Sequence, residues 1–127
     1  MNSRAKGAKG EREWAGKCRE QGFNARRGQQ YSGANGDADV VGLLGVHQEV
    51  KRVEHLNVEE AMIQARRDAL PHEIPVVAHR RNNEKWKVTM DAEDWFKLYR
   101  EWVHGLPDLN DRDLELYLSR TREMFKE

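Results

Sequence analysis

Gly36-Asp-Ala-Asp-Val-Val-Gly-Leu-Leu-Gly-Val-His-Gln-Glu-Val-Lys-Arg-Val-Glu54 decides the reading of this chain. Two apolar, β-like runs, Val40–Leu44 and Val46–Val53, are joined around Gly45. The second run carries Glu49 and Lys51 on either side of Val50. Side chains alternate along a strand, so Glu49 and Lys51 share one face and Val50 takes the other. A carboxylate and an ammonium on an apolar strand are costly to desolvate unless something pairs with them. Asp39 opens the first run, and a hairpin between the runs sets it beside Glu49. Two carboxylates brought together repel, and a hard divalent cation is the usual remedy.

At 127 residues the chain is expected to form one domain with a single modest core. Charged residues make up 35% and hydrophobic ones 38%, which fits a soluble protein. No apolar run reaches membrane-spanning length and no signal-peptide core follows the N-terminus, so a cytoplasmic protein with no membrane partner is expected. The lone Cys18 excludes a disulfide framework and fits a reducing compartment; it falls on an apolar helix stripe, where packing is its expected role. The formal net charge is zero, but its distribution is uneven. Residues 1–36 hold eight Lys/Arg against three acids, residues 76–90 four against one, and residues 91–127 six against ten. The N-terminal third is thus basic and the C-terminal part acidic.

Residues 1–8 read as a flexible basic arm. A helix over Lys9–Gln21 follows, stopped by Gly22, with Trp14, Ala15 and Cys18 as its apolar stripe. Glu11 lies on that inward stripe, either as a first-turn acid favoured by the helix dipole or as a group reaching the Asp39/Glu49 cluster. Glu13 is expected to point outward with Lys17. Phe23–Tyr31 reads as a strand containing Arg26 and Arg27, only one of which can aim at the cluster, and it enters a Ser32–Asp37 loop. Arg, Gln, Tyr31 and Ser32 there are groups that hydrogen-bond to DNA backbones. Asn57 caps a helix running to about Ala69, with Val58, Ala61, Met62, Ala65 and Ala69 inward and Gln64, Arg66 and Arg67 flanking. Ile74–His79 is a buried strand, Asn82-Asn83 a turn and Trp86–Met90 the return strand. Asp91 caps a helix over Ala92–His104, and Asn110 or Asp111 caps a last one. Their aromatic stripes suit core packing or a subunit interface. The predicted order is α-β-β-β-α-β-β-α-α. His47 shares the Glu49 face, but no Cys or second His is spaced to complete a transition-metal site, and it reads as a partly exposed strand histidine.

Glu-x-Lys alone is a weak signal. The combination of an inward acid on the first helix, an Asp opening one strand, Glu-x-Lys on the next and a polar residue on the following helix resembles the PD-(D/E)xK nuclease superfamily. Within it the chain looks like the small archaeal and phage-type Holliday junction resolvases. The matching stretches are Gly10–Glu13, Arg27–Gly33, Asp37–Gly42, Glu49–Lys51 and Gln64–Arg67, and the Ile74–Met90 hairpin also fits. Residues after about Trp102 lie outside the match. Ala38 replaces the proline that names the motif, a position that shapes the strand entry and supplies no ligand.

The resemblance implies an α/β, restriction-endonuclease-like mixed sheet flanked by helices, with extra C-terminal helices. The nuclease domain would be residues 9–105, and residues 106–127 a helix packing on the domain or a dimer interface. It implies Mg²⁺, with Mn²⁺ substituting, bound by Asp39, Glu49 and the Val50 carbonyl; Asp37 competes for the Asp39 role. Lys51 would hold or deprotonate the attacking water, Glu11 would complete the metal site or orient a water, and Ser32 and Gln64 would flank the scissile phosphate. Arg12, Arg26, Arg27, Gln30, Tyr31, Lys6 and Lys9 would contact DNA. The implied activity is hydrolytic cleavage of four-way junctions by a homodimer. A nuclease of the same fold acting on flaps, nicks or recombination ends, and a non-catalytic DNA-binding protein with a relic site, are the alternatives.

Overall fold

The computed structural model describes residues 3–29, 38–106 and 110–124. The chain is α/β, in the order α1 (Ser3–Glu20), β1 (Arg26–Arg27), β2 (Val40–Val41), β3 (Val46–Arg52), α2 (Val58–Asp68), β4 (Ile74–Arg80), β5 (Lys87–Met90), α3 (Ala92–His104) and α4 (Asp111–Met124). Five strands form one mixed sheet in the order β1-β2-β3-β4-β5. Only β3 and β4 run parallel, joined through α2; the other pairs are antiparallel. The chain divides into two compact units, Met1–Trp95 and Phe96–Glu127, so the boundary falls inside α3.

Alternation along β3 sorts the first unit into two layers. Val50 joins Ala15 and Cys18 of α1, Ala25, Val40 and Ala78 in one buried cluster, with Trp14, Leu43 and Trp86 packed against it. On the other face Val77 meets Ala61, Met62 and Ala65 of α2, with Leu56 beside them. Adjacent Val77 and Ala78 serve opposite layers because successive strand residues face opposite ways.

Helix α1 starts earlier than the sequence suggests: residues 3–8, expected as an arm, belong to it. It ends as expected at Gly22, whose φ of +94° suits the left-handed position of a C-terminal cap. The Gly22 N–H donates to the Arg19 carbonyl and the Phe23 N–H to the Cys18 carbonyl, closing the last turn. The first arm of the hairpin is shorter than its apolar letters suggest. Gly42 takes φ +118°, which ends β2 after Val41; a Cβ there would stand 2.5 Å from the Asn24 carbonyl oxygen and 2.6 Å from the Ala25 Cα. Leu43 then tucks against the core, and Leu44 is wholly exposed.

Helix α2 is capped by Asn57, whose side chain accepts the Glu60 N–H at 3.0 Å. Asn110 caps α4, accepting the Asp113 N–H at 2.8 Å. Asp91 caps α3 as expected, its carbonyl accepting the Trp95 N–H at 3.0 Å, while its carboxylate oxygens accept from Arg66 at 2.6 and 2.9 Å. No residue of α3 is buried, and its Trp102 is 60% exposed. No helix among the described residues is long and apolar enough to cross a membrane.

Candidate active site

The site grows from the register of β2 on β3. Val40 pairs with Gln48, and both turn toward α1. The residues one step along, Asp39 and Glu49, therefore share the opposite face. Their carboxyl groups lie close enough that Glu49 raises the proton affinity of Asp39. The Val50 N–H donates to Asp39 Oδ2 at 2.9 Å. A strand residue directs its N–H and C=O to the same edge, so the Val50 carbonyl faces the Asp39 side too. Burial, and then the Glu49 charge, push the Asp39 carboxyl up to about 7, and the more distant Glu11 adds to the effect.

Lys51 follows on the same face. Its Nζ donates to Gln64 Oε1 of α2 at 3.2 Å, so the sequence-predicted Glu-x-Lys pair and the polar residue of the next helix do come together. Glu11 stands close enough for its field to reach Asp39, while its Oε2 accepts from Arg27 Nε at 2.8 Å. Arg27 is thus the arginine of the Arg26-Arg27 pair that reaches Glu11; both are exposed, and Arg26 donates to the Arg27 carbonyl. Lys9 and Arg12 lie exposed on α1. Gln30, Tyr31, Ser32 and Asp37 fall outside the described residues, as does the side chain of Lys6.

Two buried partners escaped the sequence reading. His47 is 3% exposed, not the partly exposed histidine expected, and its Nε2 lies 2.8 Å from Glu49 Oε1. Its Nδ1 lies 3.9 Å from Glu73 Oε1. Burial lowers the imidazole's affinity for a proton, but the hydrogen bond to Glu49 and the charges of Glu49, Glu73 and Asp68 outweigh it, and His47 titrates above its ordinary value. Two-residue spacing on one strand face was the signal for this contact. Gln48, 1% exposed, accepts from Trp14 Nε1 at 2.8 Å and donates to the Val40 carbonyl at 3.3 Å, tying α1 to both strands. Glu13 is a correction of another kind. It turns inward, because α1 crosses over the ends of β3 and β4, and pairs with Arg80 at 2.9 Å and Arg52 at 3.7 Å.

The donor set suits a hard, oxygen-seeking dication. A buried Asp39 that holds its proton up to about 7 beside a second carboxyl would release it to such an ion, and Mg²⁺ needs only one or two carboxylates beside its waters. Among the described residues no group of three or more His, Cys, Asp or Glu is gathered around a common metal position, consistent with Glu11 being turned to Arg27. Compared with known proteins, the chain matches no family model, no curated protein and no solved structure.

Proposed function

We propose that this chain is a metal-dependent endonuclease of the PD-(D/E)xK type, with a restriction-endonuclease-like fold, that cuts branched DNA at four-way junctions. The observation that carries the reading is the joint placement of three groups on one face: Asp39 beside Glu49, with Lys51 one strand step beyond. A buried Asp39 with a raised proton affinity, set beside a second buried carboxyl, is costly as architecture, and such perturbed groups concentrate at sites of chemistry.

Asp39, Glu49 and the Val50 carbonyl would hold Mg²⁺. When bound, the ion supplies charge neutralisation at the phosphate and acidifies a water. The chain's own groups do the rest. The Val50 N–H fixes the Asp39 carboxylate and His47 fixes that of Glu49. Gln64 holds the Lys51 ammonium through its side-chain oxygen, leaving the remaining N–H groups of Lys51 to orient an attacking water and to stabilise charge growing on the phosphate oxygens. A four-way junction has two-fold symmetry, so paired cuts call for two such sites and hence a C2 dimer.

The test is incubation of a labelled four-way junction with the protein, with and without Mg²⁺, mapping cuts on all four strands beside duplex, flap and single-stranded controls. The expected result is symmetric, Mg²⁺-dependent paired nicks on the junction. Equal cutting of the controls removes the junction preference; absence of cutting on every substrate overturns the nuclease reading.

A further inference from the structure

The basic stretch Arg80–Lys87 takes no part in the site described so far, yet the sheet register connects the two. Lys51 of β3 pairs with His79 of β4, and His79 pairs with Lys87 of β5. Paired residues carry their side chains on one face, so these three form a row on the α2 side of the sheet. The row begins at the amine beside Glu49 and ends on the edge strand, roughly 10 Å away at about 4.8 Å per strand. That spans about three nucleotides of axial rise along one DNA strand.

At the far end a cleft of about 350 Å³ opens, with His55, His79, Arg81, Lys85 and Lys87 in its wall. Two acids also line it, and both are engaged. Glu84 accepts from Arg81 at 2.8 and 3.2 Å and lies 3.8 Å from the Lys87 ammonium. Glu54 accepts the Asn82 N–H at 2.9 Å. His79 donates to or accepts from Thr89 Oγ1 at 2.8 Å. Burial, and then the charge of Lys87, favour its neutral form.

We propose that a DNA strand leaving the reaction centre runs its phosphates along the Lys51–His79–Lys87 row and into this cleft, where Arg81, Lys85 and Lys87 contact them. The inference rests on the nuclease reading and names the track of its substrate. Lys85 and Lys87 are exposed, so their removal leaves the fold intact. The experiment measures binding of a four-way junction in chelator as a function of salt, for the parent, for Lys85→Ala/Lys87→Ala, and for the control Arg112→Ala/Arg120→Ala on α4. Single-turnover cleavage at saturating DNA is measured alongside. Each lost phosphate contact lowers the slope of log affinity against log salt by about one. The expected result is a slope reduced by about two in the Lys85/Lys87 variant alone, with its saturated cleavage rate within about twofold of the parent's. An unchanged slope in a parent that cleaves overturns the track and leaves the nuclease reading standing. A parent that neither binds nor cuts overturns both. A variant with unchanged slope but weakened self-association in sedimentation assigns the cleft instead to an acidic segment of a second copy, and so overturns the DNA track.

Discussion

Asp39 and Glu49 face each other across the β2–β3 pair, and the Val50 N–H next to Glu49 donates to Asp39 Oδ2 at 2.9 Å. Burial and the neighbouring Glu49 favour the protonated form of Asp39 in the metal-free protein. The Asp39 carboxyl titrates near 7 in the fold against an ordinary value of 3.8, raised first by burial and next by Glu49. Its contribution to stability is therefore fully present below the ordinary value and is lost as pH rises through about 7. Melting temperatures of parent and Asp39→Asn, taken without metal from pH 4 to 9, should converge in acid and separate above neutrality, with the variant higher. The amide keeps an acceptor for the Val50 N–H and donates to Glu49 without charge. Parallel melting curves would contradict the raised proton affinity of Asp39.

Divalent metal should act on the same pair in the opposite sense. At pH 8, Mg²⁺ at about 100 times its dissociation constant should stabilise the parent by about 2.7 kcal/mol and leave Asp39→Asn nearly unmoved. Thermal melts with and without the ion read this directly. An equal upward shift in both proteins would mean that the ion binds elsewhere.

Lys51 is only partly buried and donates to Gln64 at 3.2 Å. Lys51→Met keeps the aliphatic stem and removes the amine. Its folding stability should stay within about 1 kcal/mol of the parent, and junction affinity in chelator should hold. Single-turnover cleavage should fall about 10²–10³-fold, the scale for loss of one preorganised charge-stabilising donor. A slowdown under tenfold would remove Lys51 from the reaction.

His47 holds Glu49 from behind at 2.8 Å, with Glu73 on its other side at 3.9 Å. This makes it a positioning residue for the carboxylate. His47→Leu should weaken the Mg²⁺ dependence of cleavage by about 10–100-fold in metal concentration, the usual effect of losing an outer partner of a ligand. His47→Gln, which restores a donor, should recover part of it. A merely structural role would lower stability without moving the metal midpoint between the two variants.

The element order and the face sharing of Glu49 and Lys51 follow from period-two alternation, and the fold obeys both. What the letters hid were matters of angle and of local breaks. Val40–Leu44 reads as a five-residue strand, yet Gly42 at φ +118° cuts it to Val40–Val41. Glu13 reads as outward by helical spacing around Trp14, but the crossing of α1 over β3 and β4 brings Arg52 and Arg80 beneath it. Composition cannot reveal that Gln48, a polar letter in an apolar run, is among the most buried side chains. Each of these depends on a partner distant in sequence.

Gln48 supplies the last prediction. Its amide joins three elements by accepting from Trp14 Nε1 and donating to the Val40 carbonyl, while Cys18 Sγ lies 3.9 Å from the same oxygen. Gln48→Leu conserves volume approximately but leaves the buried indole N–H without its acceptor, so the cost should be about 2–4 kcal/mol in urea unfolding. Trp14→Phe removes that donor, although it also weakens the ring contact with Trp86, 5.1 Å away between centroids. In the Trp14→Phe background the second change should therefore cost less, by at least about 0.5 kcal/mol, the coupling expected of residues that share a hydrogen bond. Strict additivity of the two changes would show that the amide's burial is tolerated through other contacts. Because Val40 and Gln48 fix the register that sets Asp39 beside Glu49, the same Leu substitution should also lower the cleavage rate without any change at the site itself.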